Sequence, residues 1–256
     1  MSHPESSPIV LVPGALSGGW IWKDNFAHAF AQAGHPVLSP SFRGHGAPWW
    51  QRNRASFEDY LDDCQQVFQD AAQLGPVHVV AHSLGGLLAL HAAARIPVAA
   101  MVLLSPASPL GMRRSLQMLA RRSPLSVVKF AAAASDARLT RFAKPPMGIY
   151  SDTCCPQRSL AITSQLQSES LRVLSRLLKP PKLSGDTLNP DSILFVGAQG
   201  DHIIPAAEVT RAAQALGSPV HIYQGLSHTY QAEVAWPQVA ADALSWFYER
   251  AKPQSY

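Results

Sequence analysis

The amino-acid sequence predicts an α/β fold: a mostly parallel sheet flanked by helices, with an inserted helical cap. Three observations predict it. Six short apolar runs alternate with longer stretches, several of which repeat apolar residues at three- and four-residue spacings, as βαβ units do. One apolar run ends in "VVAHSLGGLL" (79–88), where a serine and paired glycines stand between a strand pattern and a helical one. From about 107 to 190 the rhythm stops, and helical patterns continue without an obvious strand. With 256 residues, 47% hydrophobic and 15% charged, the chain suits one well-buried core. The expected organisation is a core formed by 1–106 and 191–256, interrupted by a cap at 107–190.

The first expected strand is "PIVLVPG" (8–14). No basic segment precedes it, and it stops at Pro13 and Gly14, well short of a membrane span. "HPVLSPSF" (35–42) is the second. A helix then follows Ser56, a plausible N-cap, because Phe57, Tyr60, Leu61, Cys64, Val67, Phe68, Ala71 and Leu74 share one face before Gly75 stops it. "VHVVAHS" (77–83) and "AAMVLLSP" (99–106) are strands three and four, with a helix after Ser83. The cap contains an Ala run, two Pro-Pro pairs and "RSLAITSQLQSESLRVLSRLL", a helical pattern. "SILFVGAQGD" (192–201) and "PVHIYQG" (219–225) complete the strands, with helices expected over about 206–216 and 231–251.

Charge and cysteines narrow the function classes. Between 105 and 144 stand eight Lys or Arg against Asp136 alone, leaving 13 basic and 16 acidic residues elsewhere. A net charge of +4 therefore reflects a local basic cap, which argues against a nucleic-acid partner. Cys64, Cys154 and Cys155 make neither a disulfide framework nor a zinc spacing, so a cytoplasmic protein without a metal is expected.

The chemistry centres on Ser83. A serine hydroxyl needs a base in contact, a group that orients the base, and donors for the oxyanion that develops. A sharp strand-to-helix turn would expose the hydroxyl at the sheet's C-terminal edge, and such a turn needs small residues two positions either side. Ala81 and Gly85 occupy them.

These residues resemble the α/β-hydrolase superfamily, over nearly the whole chain. The pattern is A-x-S-x-G where G-x-S-x-G is commoner. That family places the acid after a later strand and the histidine after the last. The resemblance therefore implies Asp201 in "LFVGAQGDHIIP" as the acid and His228 in "IYQGLSHTY" as the base. His202 is the rival base, but it neighbours Asp201 along the chain; His78, His82 and His91 have structural explanations. Asp186 and Asp191 precede the strand instead of following it.

"LVPGALSGGWIW" resembles the H-G-A-x-x-G-x-W stretch of the plant methylesterase and hydroxynitrile lyase branch, which implies the Ala15 amide as one oxyanion donor. The Leu84 amide, after the nucleophile, is the other. Pro13 stands for the usual histidine, and Ser41 in "SFRGHG" for an aspartate that would partner Arg43. Hydroxynitrile lyases carry Thr at the position of Gly14 and Lys at that of Thr229, so both positions favour hydrolysis.

The function implied is hydrolysis of a small or medium carboxylic ester by a Ser83–His228–Asp201 triad, without cofactor. A thioesterase, a carbon–carbon bond hydrolase and a non-catalytic receptor-like binder are the alternatives. Leu110, Met112, Leu116, Met118, Leu119, Leu125 and Phe130 are expected either to line an acyl pocket or to pack cap against core. The neighbouring arginines could favour an anionic substrate or an acidic membrane surface, or simply form a solvated face. Trp20, Trp22, Trp49 and Trp50 stand where they could reach the pocket mouth, and core packing explains Trp20 and Trp22 about as well.

Overall fold

A computed structural model describes residues 7–141 and 145–251. Lys144 and the side chains of Trp49 and Arg141 fall outside them. Six strands form one sheet: β1 (Ile9–Val12), β2 (Val37–Leu38), β3 (His78–His82), β4 (Ala100–Leu104), β5 (Ile193–Ala198) and β6 (Val220–Tyr223). All are parallel, in the order β2-β1-β3-β4-β5-β6. Each lies inside one of the six apolar runs. The residues of β1, β3 and β4 are buried throughout, which is why those runs are continuous and do not alternate with polar residues.

Alternate residues of each strand enter different cores. Val10, Val12, Val79, Ala81, Met101 and Leu103 pack on one face; Ile9, Leu11, Val80, Val102 and Leu104 pack on the other. The first face is covered by α3 (Phe57–Ala72), α4 (Leu84–Ala93) and α9 (Ala206–Leu216). The second is covered by α10 (Trp236–Ala251) and the crossover that precedes β2. Ser56 caps α3 in a reciprocal box with Asp59. Gly217, at φ +71°, closes α9.

The sequence assigns no element to the crossover from β1 to β2, and the last helix departs from its expected start. The crossover from β1 to β2 is an irregular helical passage, a 3₁₀ turn at Gly19–Trp22 leading to α1 (His28–Gln32). Asn25 breaks it at φ −144°, ψ −108°, where its side chain accepts from the Phe26 amide and donates to the Ile21 carbonyl. The passage nonetheless delivers Trp22, Phe26 and Phe30, which stand at four-residue spacing, to the second core. The last helix begins at Trp236 and not near 231. Pro237 has no N–H to bond an upstream carbonyl, so a helix can start at it but not run through it.

A short helix, α2 (Trp49–Arg52), precedes α3. Among the described residues, four α-helices lie between β4 and β5: α5 (Arg113–Arg122), α6 (Pro124–Ser135), α7 (Pro156–Gln165) and α8 (Leu171–Leu178). The pattern over 158–178 is thus two helices, separated by a passage that carries the fully buried Glu169 and the cap residue Ser170.

Arg43, which lacks the usual Asp at position 41, instead pairs with Asp59 (3.1 Å) and Asp63 (2.5 Å) on α3.

Candidate active site

Ser83 stands between β3 and α4 at φ +54°, ψ −120°, a conformation that costs a non-glycine residue energy and is held by the elements either side. Its amide donates to Leu104 O on β4, while its carbonyl accepts from the amides of Gly86 and Ala107. The paired glycines serve two different close approaches. A Cβ on Gly85 would lie 2.7 Å from Val12 O and closer still to Pro13 O; one on Gly86 would lie 2.5 Å from Pro106 Cβ. The N-terminus of α4 is thereby wedged between the ends of β1 and β4, with the hydroxyl left over the sheet edge.

His228 and Asp201 reach the same edge from the loops after β6 and β5. His228 Nε2 lies 3.2 Å from Ser83 Oγ, and His228 Nδ1 lies 2.8 Å from Asp201 Oδ2. Asp201 is buried, and its other oxygen accepts from the amides of Ile203 (2.8 Å) and Ile204 (2.9 Å). One carboxylate oxygen is therefore committed to the backbone and the other to the imidazole. The His228 loop is itself pinned: its amide donates to Gly148 O, and buried Glu233 accepts from the Ser227 amide and the Ser151 hydroxyl.

The other histidines stand outside the Ser83–His228–Asp201 chain of side-chain bonds. His82 is buried, its Nε2 2.9 Å from His228 O, and burial followed by the neighbouring His228 holds its pKa well below 6.5. A neutral ring thus supports the His228 backbone. His202 packs against Gly148, and burial, then Arg122, lowers its pKa.

Ala15 and Ser83 line one cavity of about 380 Å³ beneath the inserted helices. Met112, Leu116, Leu119 and Phe130 line it, with Leu174 and Ile203. Leu110, Met118 and Leu125, also candidates for such a pocket, do not line it and are exposed, and among the described residues no charged one lines it. Trp22 is buried in the second core, and neither it nor Trp20 or Trp50 lines the cavity. Among the described residues, neither the Ala15 nor the Leu84 amide has an intramolecular acceptor. Arg113, Arg114, Arg121 and Arg122 are exposed, and Arg114 pairs with Glu208 at 3.5 Å.

Three supporting residues were not anticipated: Ser17, Glu169 and Glu233. Ser17 Oγ donates to Gly14 O (3.0 Å), and Glu169 accepts from the Leu16 amide (3.1 Å), so loop bonding is supplied without the histidine that Pro13 replaces. The signal for Glu169 was an acidic residue amid an apolar helical spacing. Among the described residues no His, Cys, Asp and Glu cluster is placed to hold a metal, and no helix is long and apolar enough to cross a membrane.

A family model described as "Alpha/beta hydrolase family" matches residues 9–243. A lipase, LipV, of Mycobacterium tuberculosis is 36% identical over 107 residues, 39% of this chain and 37% of that protein. A carbendazim hydrolyzing esterase of a Nocardioides species is 36% identical over 88 residues, 34% of this chain and 36% of that protein. The matched stretch thus spans little more than a third of either relative. The structure of polyneuridine aldehyde esterase superposes with a TM-score of 0.67 at 16% identity, covering 94% of this chain and 98% of that one, a likeness of fold.

Proposed function

The chain belongs to the alpha/beta hydrolase family, and from that premise we propose that it hydrolyses carboxylic esters of small or medium apolar acids, with Ser83 as nucleophile. One observation carries this: a continuous Ser83–His228–Asp201 hydrogen-bond chain at a strand-to-helix turn that opens into an apolar cavity. The partial matches to proteins named lipase and esterase point the same way.

In the proposed reaction Ser83 Oγ attacks the ester carbonyl carbon as His228 Nε2 takes the hydroxyl proton. Asp201 holds the Nδ1–H tautomer and stabilises the imidazolium. The carbonyl oxygen, now negative, receives the Ala15 and Leu84 amides, the latter at the positive end of α4. Collapse breaks the carbon–oxygen bond, and His228 gives its proton to the departing alcohol. Water, deprotonated by His228, then attacks the acyl-enzyme, and a second collapse frees the acid and restores Ser83. The steps use side chains, backbone amides and water.

The test is labelling by a fluorophosphonate probe together with turnover over a panel of p-nitrophenyl esters, thioesters and lactones. Ser83→Ala should abolish both labelling and turnover. Turnover that survives Ser83→Ala would refute the assignment, while labelling with a single turnover would mark a binder that retains a triad. Preference for thioesters over esters would move the substrate class while leaving the mechanism intact.

A further inference from the structure

Glu169 has no part in that reaction sequence, yet it is fully buried and accepts hydrogen bonds from four separate residues. Its Oε2 takes the Leu16 amide at 3.1 Å, and His45 Nε2 lies 3.3 Å from the same oxygen. Its Oε1 takes the Tyr60 hydroxyl at 2.6 Å and the Ser170 amide at 2.8 Å. These partners belong to the loop after β1, the loop after β2, helix α3 and the passage before α8. Burial alone would raise this carboxyl's pKa, but the bonds from His45, Tyr60 and Ser170 prevail and hold it below the ordinary value.

Docking a cap onto a core does not require a carboxylate, since apolar contacts of the same volume commonly do as well or better. What a carboxylate adds is a fixed direction for a donor. Here the donor that matters is Leu16, the residue after Ala15. Leu16 sits at φ +65°, unfavourable for a leucine, and both of its backbone groups are held by the cap. Its amide goes to Glu169, and its carbonyl accepts from the Gln167 amide at 2.8 Å. On the other side, Ser17 Oγ bonds Gly14 O, the carbonyl of the same peptide unit whose N–H is that of Ala15. The peptide planes on both sides of the Ala15 Cα are therefore fixed, one by Ser17 and one by the cap.

We infer that Glu169 is a positioning residue for the oxyanion hole, acting through the Leu16 amide to aim the Ala15 N–H at the reacting carbonyl oxygen. The inference rests on the proposed esterase reading. It makes the cap part of the catalytic apparatus: the hole is complete only while the segment 167–169 is seated on the loop after β1. Tyr60 and His45 hold the carboxylate; they do not touch the loop's amide.

Glu169→Gln tests it. All four partners are donors, and an amide offers a single acceptor oxygen, so glutamine cannot serve both Leu16 and the Tyr60–Ser170 side. With p-nitrophenyl butyrate, kcat should fall about 10- to 100-fold, short of the full loss of an oxyanion donor, with KM within about threefold. Affinity for a trifluoromethyl ketone, which forms a tetrahedral adduct on Ser83, should fall by the same factor. Tyr60→Phe removes a bond to the same carboxylate without touching Leu16; it should lower Tm yet leave kcat within about twofold. If Glu169→Gln does not fold, Glu169→Asp, which keeps the charge and withdraws the oxygens, carries the same readings. Wild-type kcat and ketone affinity in the folded Glu169 variant would overturn the inference. So would Tyr60→Phe losing kcat to the same degree, which would reduce Glu169 to a structural role. A Ser83→Ala protein that remained active would instead refute the underlying reading, so the two failures are distinct.

Discussion

Asp201→Asn is nearly isosteric, and the structure specifies how it should fail. Asp201 Oδ1 accepts two backbone amides, Ile203 and Ile204, and Oδ2 faces His228 Nδ1. Asparagine has one acceptor oxygen. Placing it toward the Ile203 and Ile204 amides keeps two hydrogen bonds and turns the NH₂ toward Nδ1. The reverse placement sets that NH₂ against two buried amides, at about 1–3 kcal/mol for each group left unpaired. The first placement therefore wins, and His228 must present Nδ1 as an acceptor, carrying its proton on Nε2. That atom then donates toward Ser83 Oγ when it should accept the hydroxyl proton. In serine proteases the equivalent tautomer change costs about 10⁴ in kcat; the same loss here corresponds to about 5 kcal/mol of barrier at about 1.4 kcal/mol per tenfold. Steady-state hydrolysis of p-nitrophenyl butyrate at neutral pH should show kcat reduced by about 10³- to 10⁴-fold. Thermal unfolding should show a folded protein, since both backbone bonds survive. A folded Asp201→Asn enzyme within tenfold of wild-type kcat would refute the assignment of Asp201 as the group that sets the tautomer.

Gly85→Ala places a methyl 2.7 Å from Val12 O, a backbone atom of a central strand that cannot rotate away. It should lower stability by about 1–3 kcal/mol and cut kcat more than tenfold as Ser83 is displaced, checked by denaturant unfolding beside ester kinetics. Phe130 lies between the cavity of about 380 Å³ and a second apolar one of about 120 Å³. Phe130→Ala should join them and favour longer acyl chains by about fourfold in kcat/KM per added methylene, at ~0.8 kcal/mol each; an unchanged profile over p-nitrophenyl acetate to dodecanoate would argue against it. Stability should decline on acidification, because burial lowers His78 and His91 from 6.5 to about 4, with His35 and Arg95 respectively contributing. Between those values the unfolded chain binds the more protons, so stability falls as pH drops from 6.5 toward 4, by up to about 3 kcal/mol for His78 and by less for the more solvated His91. Tm measured at pH 7 and pH 5 checks this, with His78→Gln expected to flatten the slope.

What the sequence revealed follows from how each part is built. The central strands β1, β3 and β4 are legible because strands buried on both faces must be apolar along their whole length, and the others because turn residues such as Pro13-Gly14 and Gly225 bound short apolar runs. Ser83, Asp201 and His228 are legible through a local turn that demands small neighbours, and through a chain order that the family resemblance supplies. The irregular path of the crossover before β2 is not, because Trp22, Phe26 and Phe30 keep an unbroken four-residue spacing and the break comes from the Asn25 side chain competing for backbone partners. The division of 158–178 is hidden for a related reason. Val173 and Leu174 continue the helical spacing of Ile162, while the break is imposed by Glu169 meeting partners 109 and 153 residues away. No window of sequence contains those partners, so only the folded chain places them together.

Helix α5 shows why charge and volume should act differently on the proposed substrates. Met112, which precedes it, and Leu116 and Leu119 within it recur at helical spacing and turn toward the cavity, while Arg113, Arg114, Arg121 and Arg122 are exposed. Each methylene buried in the cavity is worth about 0.8 kcal/mol. The arginines line none of it, so a substrate's charge would meet them across solvent, where about 0.15 M salt screens interactions beyond roughly 8 Å. Selection by acyl size should therefore dominate kcat/KM, with the basic face affecting encounter and not fit. The same division explains how a cavity this apolar can stand over a polar reaction centre. The polar atoms that organise Ser83 and Ala15, those of Asp201, Glu169 and Glu233, are buried behind the loops they orient, each hydrogen-bonded to backbone amides. Only Ser83 and Ala15, of these groups, line the chamber itself.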